Sequence, residues 1–452
     1  MRAAIVFVWL LLLFSAGGVV AQNVPSAPVA NAAPTPAATS RQATPSTRTL
    51  TLAEAERLAL KNNPNISVAN LNALIFHQNI REQRSALLPT AFLSVTAVDS
   101  RPGSRVAAGA LNNSVIYPRA ASGATLSQLI TDFGRTNNLV ASSEFQAKAQ
   151  DQAAIATTAD ILLAVDQAYF NTLETKALVS VAQQTVDARQ TMVDKIQALT
   201  SAKLRSDLDL SFTQVDASRA RLLLLEAQNN YQAALAGLSA LLGFSDEQDF
   251  QLVEEPTAAN PPPLDVTPLI NEALAQRPEV LSLRDQVQAA EKFGHAEHDL
   301  WRPNVSALGV VGLAPVRDNH IPNWYGAVGV NINIPVFNGF LFNARAQSAD
   351  LQTSADRQRL MDLQNNIARD VRNAWHDSER AFERLSVTGQ LRAQANLALD
   401  LAQSRYNLGL SSIVEFSQAE LQKTEADISD TDARYQYRLT QIVLAYTMGA
   451  PK

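Results

Sequence analysis

Few side chains in this 452-residue chain are placed for chemistry. His295, Glu297 and His298 lie close together, but H-A-E-H differs from the H-E-x-x-H helix pattern, which sets two imidazoles one turn apart with a base between them. The run reads as a solvated helix face. His77, His320 and His376 are isolated in sequence and read as surface residues. Glu379 and Glu383 form a solvent-facing carboxylate stripe. Gly309 with Gly312, and Gly326 with Gly329, fall inside alternating patterns where glycine suits close backbone approach, and no P-loop or dinucleotide fingerprint follows. No nucleophile, base and orienting group come together, so the sequence predicts no enzyme, no cofactor and no metal site. Two carboxylates remain, Asp209 and Glu415. Each stands in the first turn of a long helical stretch, where the helix dipole favours negative charge.

The ends and the composition limit what such residues can serve. There are no cysteines, which excludes disulfides, thiolate metal sites and a lipidated N-terminal cysteine. Lysine and arginine number 37 against 43 acidic residues, and 6% of residues are aromatic. Nucleic-acid binding therefore has no electrostatic footprint. Arg2, the apolar run Ala3 to Phe14 and the small residues ending at Ala21 read as a signal peptide over 1–21. The competing reading, a membrane-spanning anchor, requires a longer apolar run for a bilayer core of roughly 30 Å. Residues 22–48, rich in Pro, Ala, Ser and Thr, read as a disordered leader. Structure is expected from Thr51, which forms a capping-box pattern with Glu54.

The chain then repeats itself. Pro64 and Pro89 recur as Pro278 and Pro303, a shift of 214, while Gly134 recurs as Gly339 at 205. Tyr169 with Trp375, Leu238 with Leu444 and Gly243 with Gly449 all stand 206 apart. A unit of this length is one complex fold used twice, unlike a solenoid of short repeats. The first copy spans 49–253 and the second 266–449, joined by a Pro-rich linker at 254–265. The second copy is expected to open as the first does, with Thr267 before Pro268. The falling shift makes the first strand hairpin's loop nine residues longer.

Each copy predicts a short helical pair, two strands and two long helices. Trp324, Gly326, Val328, Val330, Ile332 and Ile334 alternate with Tyr325, Ala327, Gly329, Asn331 and Asn333, which gives an apolar face and a small or polar one. Ala91 to Val98 and Ala121 to Ile130 supply the first copy's strands. Proline-free, alanine-rich stretches over Gly134 to Leu199, Ser206 to Leu242, Phe340 to Leu408 and Ser412 to Met448 predict helices of up to about 100 Å, packed side by side like coiled coils. With the helix seams committed to one another, lipid is the natural cover for the apolar strand faces. Sheet edges cannot stay open in hydrocarbon, and four strands cannot close a barrel, so copies of the chain must share one.

The order and spacing of these parts resemble the TolC outer-membrane efflux family. The resemblance rests on Asp132-Phe133-Gly134-Arg135 and Pro335-Val336-Phe337-Asn338-Gly339 after the hairpins, and on Arg405-Tyr406-Asn407-Leu408-Gly409 at the second helical turn, within a match from Thr51 to Gly449. It implies a mainly α fold with a membrane β part: a homotrimer with a twelve-stranded outer-membrane barrel, continued by an α-helical tunnel through the periplasm. Such a protein is the passive exit duct of a tripartite efflux or type I secretion system and docks to a periplasmic adaptor and an inner-membrane transporter. By position, Lys203, Leu204, Leu408, Gly409, Leu410 and Ser411 would form the adaptor-docking tip. Asp209, Tyr406 and Glu415 would line the periplasmic gate, with Tyr406 and Asp209 resembling a pair that holds the tips closed by hydrogen bonds. The chain departs from the family pattern at Ser411, where an arginine is expected, and at Gln418, where a second acidic residue is. The gate would then be held differently, by the nearby Arg405 or Arg205. The alternative reading is a soluble periplasmic coiled-coil scaffold or tether, extractable without detergent.

Overall fold

The computed structural model describes residues 48–99, 101, 105–107, 113–115, 119–246, 248, 250–254, 260–315 and 322–449. The expected signal peptide, the expected leader up to residue 47, His320 and part of the expected linker lie outside the described residues. The first described element lies three residues before Thr51: β1 (Arg48–Leu50), which pairs in parallel with β6 (Phe250–Leu252). Thr51 then caps α1 (Leu52–Asn62) by accepting from the Glu54 amide at 3.3 Å. Asn63 turns the chain and caps α2 (Pro64–Ser85) through its side chain. The second copy opens differently from expectation. Thr267 lies inside α5 (Thr267–Gln276), and its amide is taken by Asp265 Oδ1 at 2.9 Å, so the aspartate does the capping. α6 (Pro278–His298) follows.

Four strands form one antiparallel sheet in the order β2 (Thr90–Val98), β5 (Arg119–Thr131), β7 (Asn304–Leu313) and β8 (Trp324–Asn333). Two strands come from each copy. A further short pair, β3 (Arg105–Ala107) with β4 (Asn113–Val115), lies within the first hairpin's loop, where the sequence predicts no strand. The register aligns Leu93 with Ala124, Ala124 with Val311, and Val311 with Gly326, so directly paired residues share one face. That face carries Leu93, Val95, Leu126, Val311, Leu313, Trp324, Val328 and Val330, all exposed, with Leu93 at 80% and Val328 at 76%. The other face is mostly small and polar, and there the Tyr325 ring lies against Gly123 and Gly312, where any Cβ would collide with it.

The hairpins feed long helices of equal size in both copies: α3 (Arg135–Ser201) and α4 (Asp207–Leu241), then α7 (Leu341–Asn407) and α8 (Ile413–Thr447). At 1.5 Å per residue the 67-residue helices are about 100 Å long. Each starts after two left-handed residues, Phe133-Gly134 in one copy and Gly339-Phe340 in the other. The order of phenylalanine and glycine is exchanged, so the backbone shift is 206 at both positions. The pairing of Gly134 with Gly339 at 205 is thereby corrected, and the first loop is longer by eight residues, the drop from 214 at β2 and β7 to 206 at α3 and α7.

Equivalent aromatics lock the two copies. Tyr169 Oη lies within hydrogen-bond distance of the Leu50 and Val253 carbonyls, and Trp375 Nε1 donates to the Pro263 carbonyl at 2.7 Å. Around Tyr169 the β1 and β6 side chains Leu50, Phe250 and Leu252 bury against Val165, Leu173, Leu235 and Leu238. Gly243 and Gly449, both left-handed, end α4 and α8 where a side chain would strike Asn62 and Arg277 respectively.

Candidate functional site

The turns joining the long helices in each copy lie at the far end from the sheet. In the first, the Lys203 amide donates to Thr200 and the Leu204 amide to Leu199; in the second, Gly409 donates to Tyr406 and Leu410 to Arg405. Both are the left-handed C-cap that ends helices by satisfying their last carbonyls. Ser206 and Ser412 then cap α4 and α8, accepting from the Asp209 and Glu415 amides at 3.2 and 3.3 Å. Both carboxylates therefore sit at the third position of a helix, favoured by its dipole. Leu204, Leu408 and Leu410 project from the turns with 67–74% of their surface exposed. Ser411 Oγ is buried without a hydrogen-bond partner.

The two turns are brought together by packing. Met192 and Ile196 of α3, Tyr406 of α7, and Ile413 and Phe416 of α8 form one buried cluster. Tyr406, 1% exposed, stacks on Phe416 with ring centroids 5.6 Å apart. Arg205 crosses from the first turn: its Cζ lies 4.3 Å from the Tyr406 ring centroid, and its Nη2 donates to the Tyr406 carbonyl at 3.0 Å. A cation over an aromatic face, joined by a charged hydrogen bond, is a strong local tie. Burial raises the Tyr406 pKa, Arg205 opposes the rise and Asp209 adds to it. Tyr406 Oη, however, has no hydrogen-bond partner, so this chain has no Tyr406–Asp209 hydrogen bond. Arg405 Nε pairs with Glu415 Oε1 at 3.4 Å. Arg205 and Arg405, the two arginines expected to stand in for the one missing at Ser411, are thus both engaged at the tip, each within one chain.

Above the tip lies a second set of contacts that sequence reasoning missed. Arg189 of α3 forms an ion pair with Glu420 of α8, and both side chains are nearly buried. Ser417 of α8 donates to Asp216 of α4. These residues carry ordinary charges on long amphipathic stretches. Only the antiparallel register of α3 against α8, set by pairs such as Asp160 with Tyr446, reveals them as partners.

Three of the described histidines meet carboxylates. His77 pairs with Asp151 and His298 with Asp350, in each case joining a short helix to a long one at 3.1 Å, while His376 stands 3.8 Å from Glu379. His295 is exposed. Among the described residues no helix is long and apolar enough to cross a membrane.

A family model described as outer membrane efflux protein matches residues 56–244 and 269–450, one match per copy. The chain is 22% identical over 419 residues to the outer membrane protein TolC of Escherichia coli (strain K12), covering 88% of this chain and 83% of TolC. It is 23% identical over 406 residues to the outer membrane protein OprJ of Pseudomonas aeruginosa, covering 87% and 82%. Among solved structures, the outer membrane protein VceC of Vibrio cholerae superposes with a TM-score of 0.74 at 18% identity, over 88% of this chain and 96% of VceC.

Proposed function

Since the chain belongs to the outer membrane efflux protein family, and is therefore a TolC-like efflux channel of the outer membrane, we propose that it acts as a homotrimer. Three copies share a twelve-stranded barrel, and their long helices continue it as a tunnel that docks to a periplasmic adaptor and an inner-membrane transporter. The duct is passive, and the energy for export comes from its partners. The observation that carries this reading is the sheet: one face is apolar and exposed across all four strands, and both edges, β2 and β8, are unpaired among the described residues. Lipid covers such a face, and pairing β8 with β2 of the next copy closes the edges. A soluble scaffold has no use for either feature.

The duplication supports the same closure among the helices. Within the chain, α3 packs on α6 with Ser142 Oγ donating to the Ala289 carbonyl and Ser282 Oγ to the Ala149 carbonyl, both at 2.8 Å. Carried to the other copy, these become Ser348 and Ala355 of α7 against Ile75 and Val68 of α2. In one chain the latter two are 55% and 54% exposed, and their equivalent partners belong to a neighbouring molecule. In this arrangement Lys203, Leu204, Leu408, Gly409, Leu410 and Ser411 meet the adaptor, while Asp209, Tyr406 and Glu415 stand at the gate.

The test is an Ile75→Cys, Ser348→Cys variant in this otherwise cysteine-free chain. Oxidation of isolated outer membranes is expected to give a covalent ladder ending at the trimer. A product that stays monomeric, or that fractionates without detergent, refutes the reading.

A further inference from the structure

Where α6 begins and α8 ends, a cavity of about 770 Å³ opens against α3. That volume suits a small organic molecule, since ligand sites span roughly 300–1,000 Å³. Its walls are mainly apolar: α3 supplies Ala154, Ile155, Leu162 and Leu163, α6 supplies Leu281 and α8 supplies Ile442. Ile155 is 52% exposed, which leaves apolar surface for a ligand body to cover.

Carboxylates outnumber cations in the lining, with Asp151, Asp166 and Glu279 against Arg277. Arg277 is already committed: its Nη2 donates to Glu279 Oε1 at 2.8 Å, and its Cζ lies 5.5 Å from the Tyr446 ring centroid. Tyr446, also in the lining, donates its hydroxyl to Asp160. Asp166 is fully buried, whereas the Asp151 side chain is 41% exposed, with its Oδ2 at 3.1 Å from His77 Nε2. A negative lining inside an apolar wall attracts a cation and repels an anion of the same shape.

The repeat shows that helix packing does not demand these charges. At shifts of 206 for the long helices and 214 for the short ones, His77 with Asp151 becomes Glu291 with Arg357, and that second pair is present at 2.7 Å. The positions are therefore equivalent in space. Around them, however, Asp151, Asp166, Glu279 and Tyr446 become Arg357, Arg372, Asn65 and Ala240. Both acids of α3 are replaced by arginine, so the acidic, apolar-walled cavity belongs to one site and is no general product of the duplicated fold.

We infer that this cavity binds an amphipathic organic cation, whose apolar body fills the space between α3, α6 and α8 while its positive group meets Asp151 and the other carboxylates. Every lining residue comes from a single chain. The site therefore stands independently of the trimeric tunnel proposed above.

The experiment compares two probes of one shape and opposite charge, tetraphenylphosphonium and tetraphenylborate. Their binding to the full-length, detergent-solubilised protein is measured by equilibrium dialysis, with the same detergent alone as the reference. The phosphonium is expected to bind saturably, and the borate at least about tenfold more weakly, a difference of about 1.4 kcal/mol. Ala159→Trp, which fills the cavity from α3, should abolish the saturable phosphonium binding. Equal binding of the two ions, no saturable phosphonium binding, or binding that survives the tryptophan overturns the inference. If the tryptophan variant fails to fold, Asp151→Arg takes its place, because it reverses a charge on an exposed side chain and copies what the repeat carries at Arg357. It should weaken the phosphonium and strengthen the borate, and an unchanged preference overturns the inference equally. The cross-linked trimer ladder is read on the same samples, so loss of the cation site and loss of the trimer are told apart.

Discussion

Lys203 and Gly409 hold the same left-handed backbone position, with φ of 61° and 75°, at the ends of the two 67-residue helices. Glycine takes that conformation freely, whereas a lysine there carries about 1 kcal/mol of strain. Lys203→Gly is therefore expected to raise the thermal midpoint of detergent-solubilised protein, and Gly409→Val to lower it. Equal midpoints for both variants would show that the turns relax without strain.

The second prediction separates the ring of Tyr406 from its hydroxyl. The ring is held between Phe416 and Arg205, but Oη is buried without a partner. A stranded hydroxyl costs about 1–3 kcal/mol, so Tyr406→Phe should leave stability unchanged or improved. Tyr406→Ala empties the cluster and should cost about 3–5 kcal/mol. Circular-dichroism melts of the two variants decide the matter. A loss with phenylalanine as large as with alanine would assign the hydroxyl a bond to another copy.

These two cases mark how far the sequence could be read. The repeat was legible because proline, glycine and aromatic landmarks are fixed by local backbone needs, and the long helices follow from unbroken alanine-rich stretches. The equivalence of Phe133-Gly134 with Gly339-Phe340 was hidden because a left-handed site tolerates a phenylalanine, so matching glycine to glycine slipped the register by one. β1 and β6 were missed because three residues carry no periodicity; they exist by burying Leu50, Phe250 and Leu252 on α3 and α4. At the tip, residue positions could be read from the turn. The choice of Arg205 as the residue on Tyr406 depends on how two hairpins from opposite ends of the chain approach, and spacing does not encode that.

A third prediction concerns pH. Glu174 of α3 is pushed up to about 7, first by burial and then by its hydrogen bond and like charge with Asp432 of α8, against the opposing pull of Arg384. Tyr435, bound to Glu254, closes the same neighbourhood. Because the folded value lies above the unfolded one, the contribution is full below the ordinary glutamate range and is lost as pH rises through about 7. Stability should fall between about pH 5 and about pH 8, and Glu174→Gln should flatten that dependence. An unchanged slope in the variant would place the proton elsewhere.

The last prediction ranks the two gate carboxylates. Both sit at the third position of a helix, but their surroundings differ. Glu415 pairs with Arg405, which offsets its charge. Asp209 is in no ion pair among the described residues, and its charge adds to the upward shift of the Tyr406 hydroxyl. In a three-fold tip each residue becomes a ring of three. A ring whose charges are individually neutralised by arginine attracts cations weakly, while an unpaired ring focuses their field into the pore. Asp209→Asn should therefore reduce cation preference more than Glu415→Gln, as read from the reversal potential across a potassium chloride gradient. Arg405→Ala should increase that preference by freeing Glu415. Equal, small effects from all three would place both carboxylates outside the conduction path, as helix-capping groups only. An Arg405→Ala effect of the opposite sign would mean that Arg405 holds the pore geometry and does not merely neutralise Glu415.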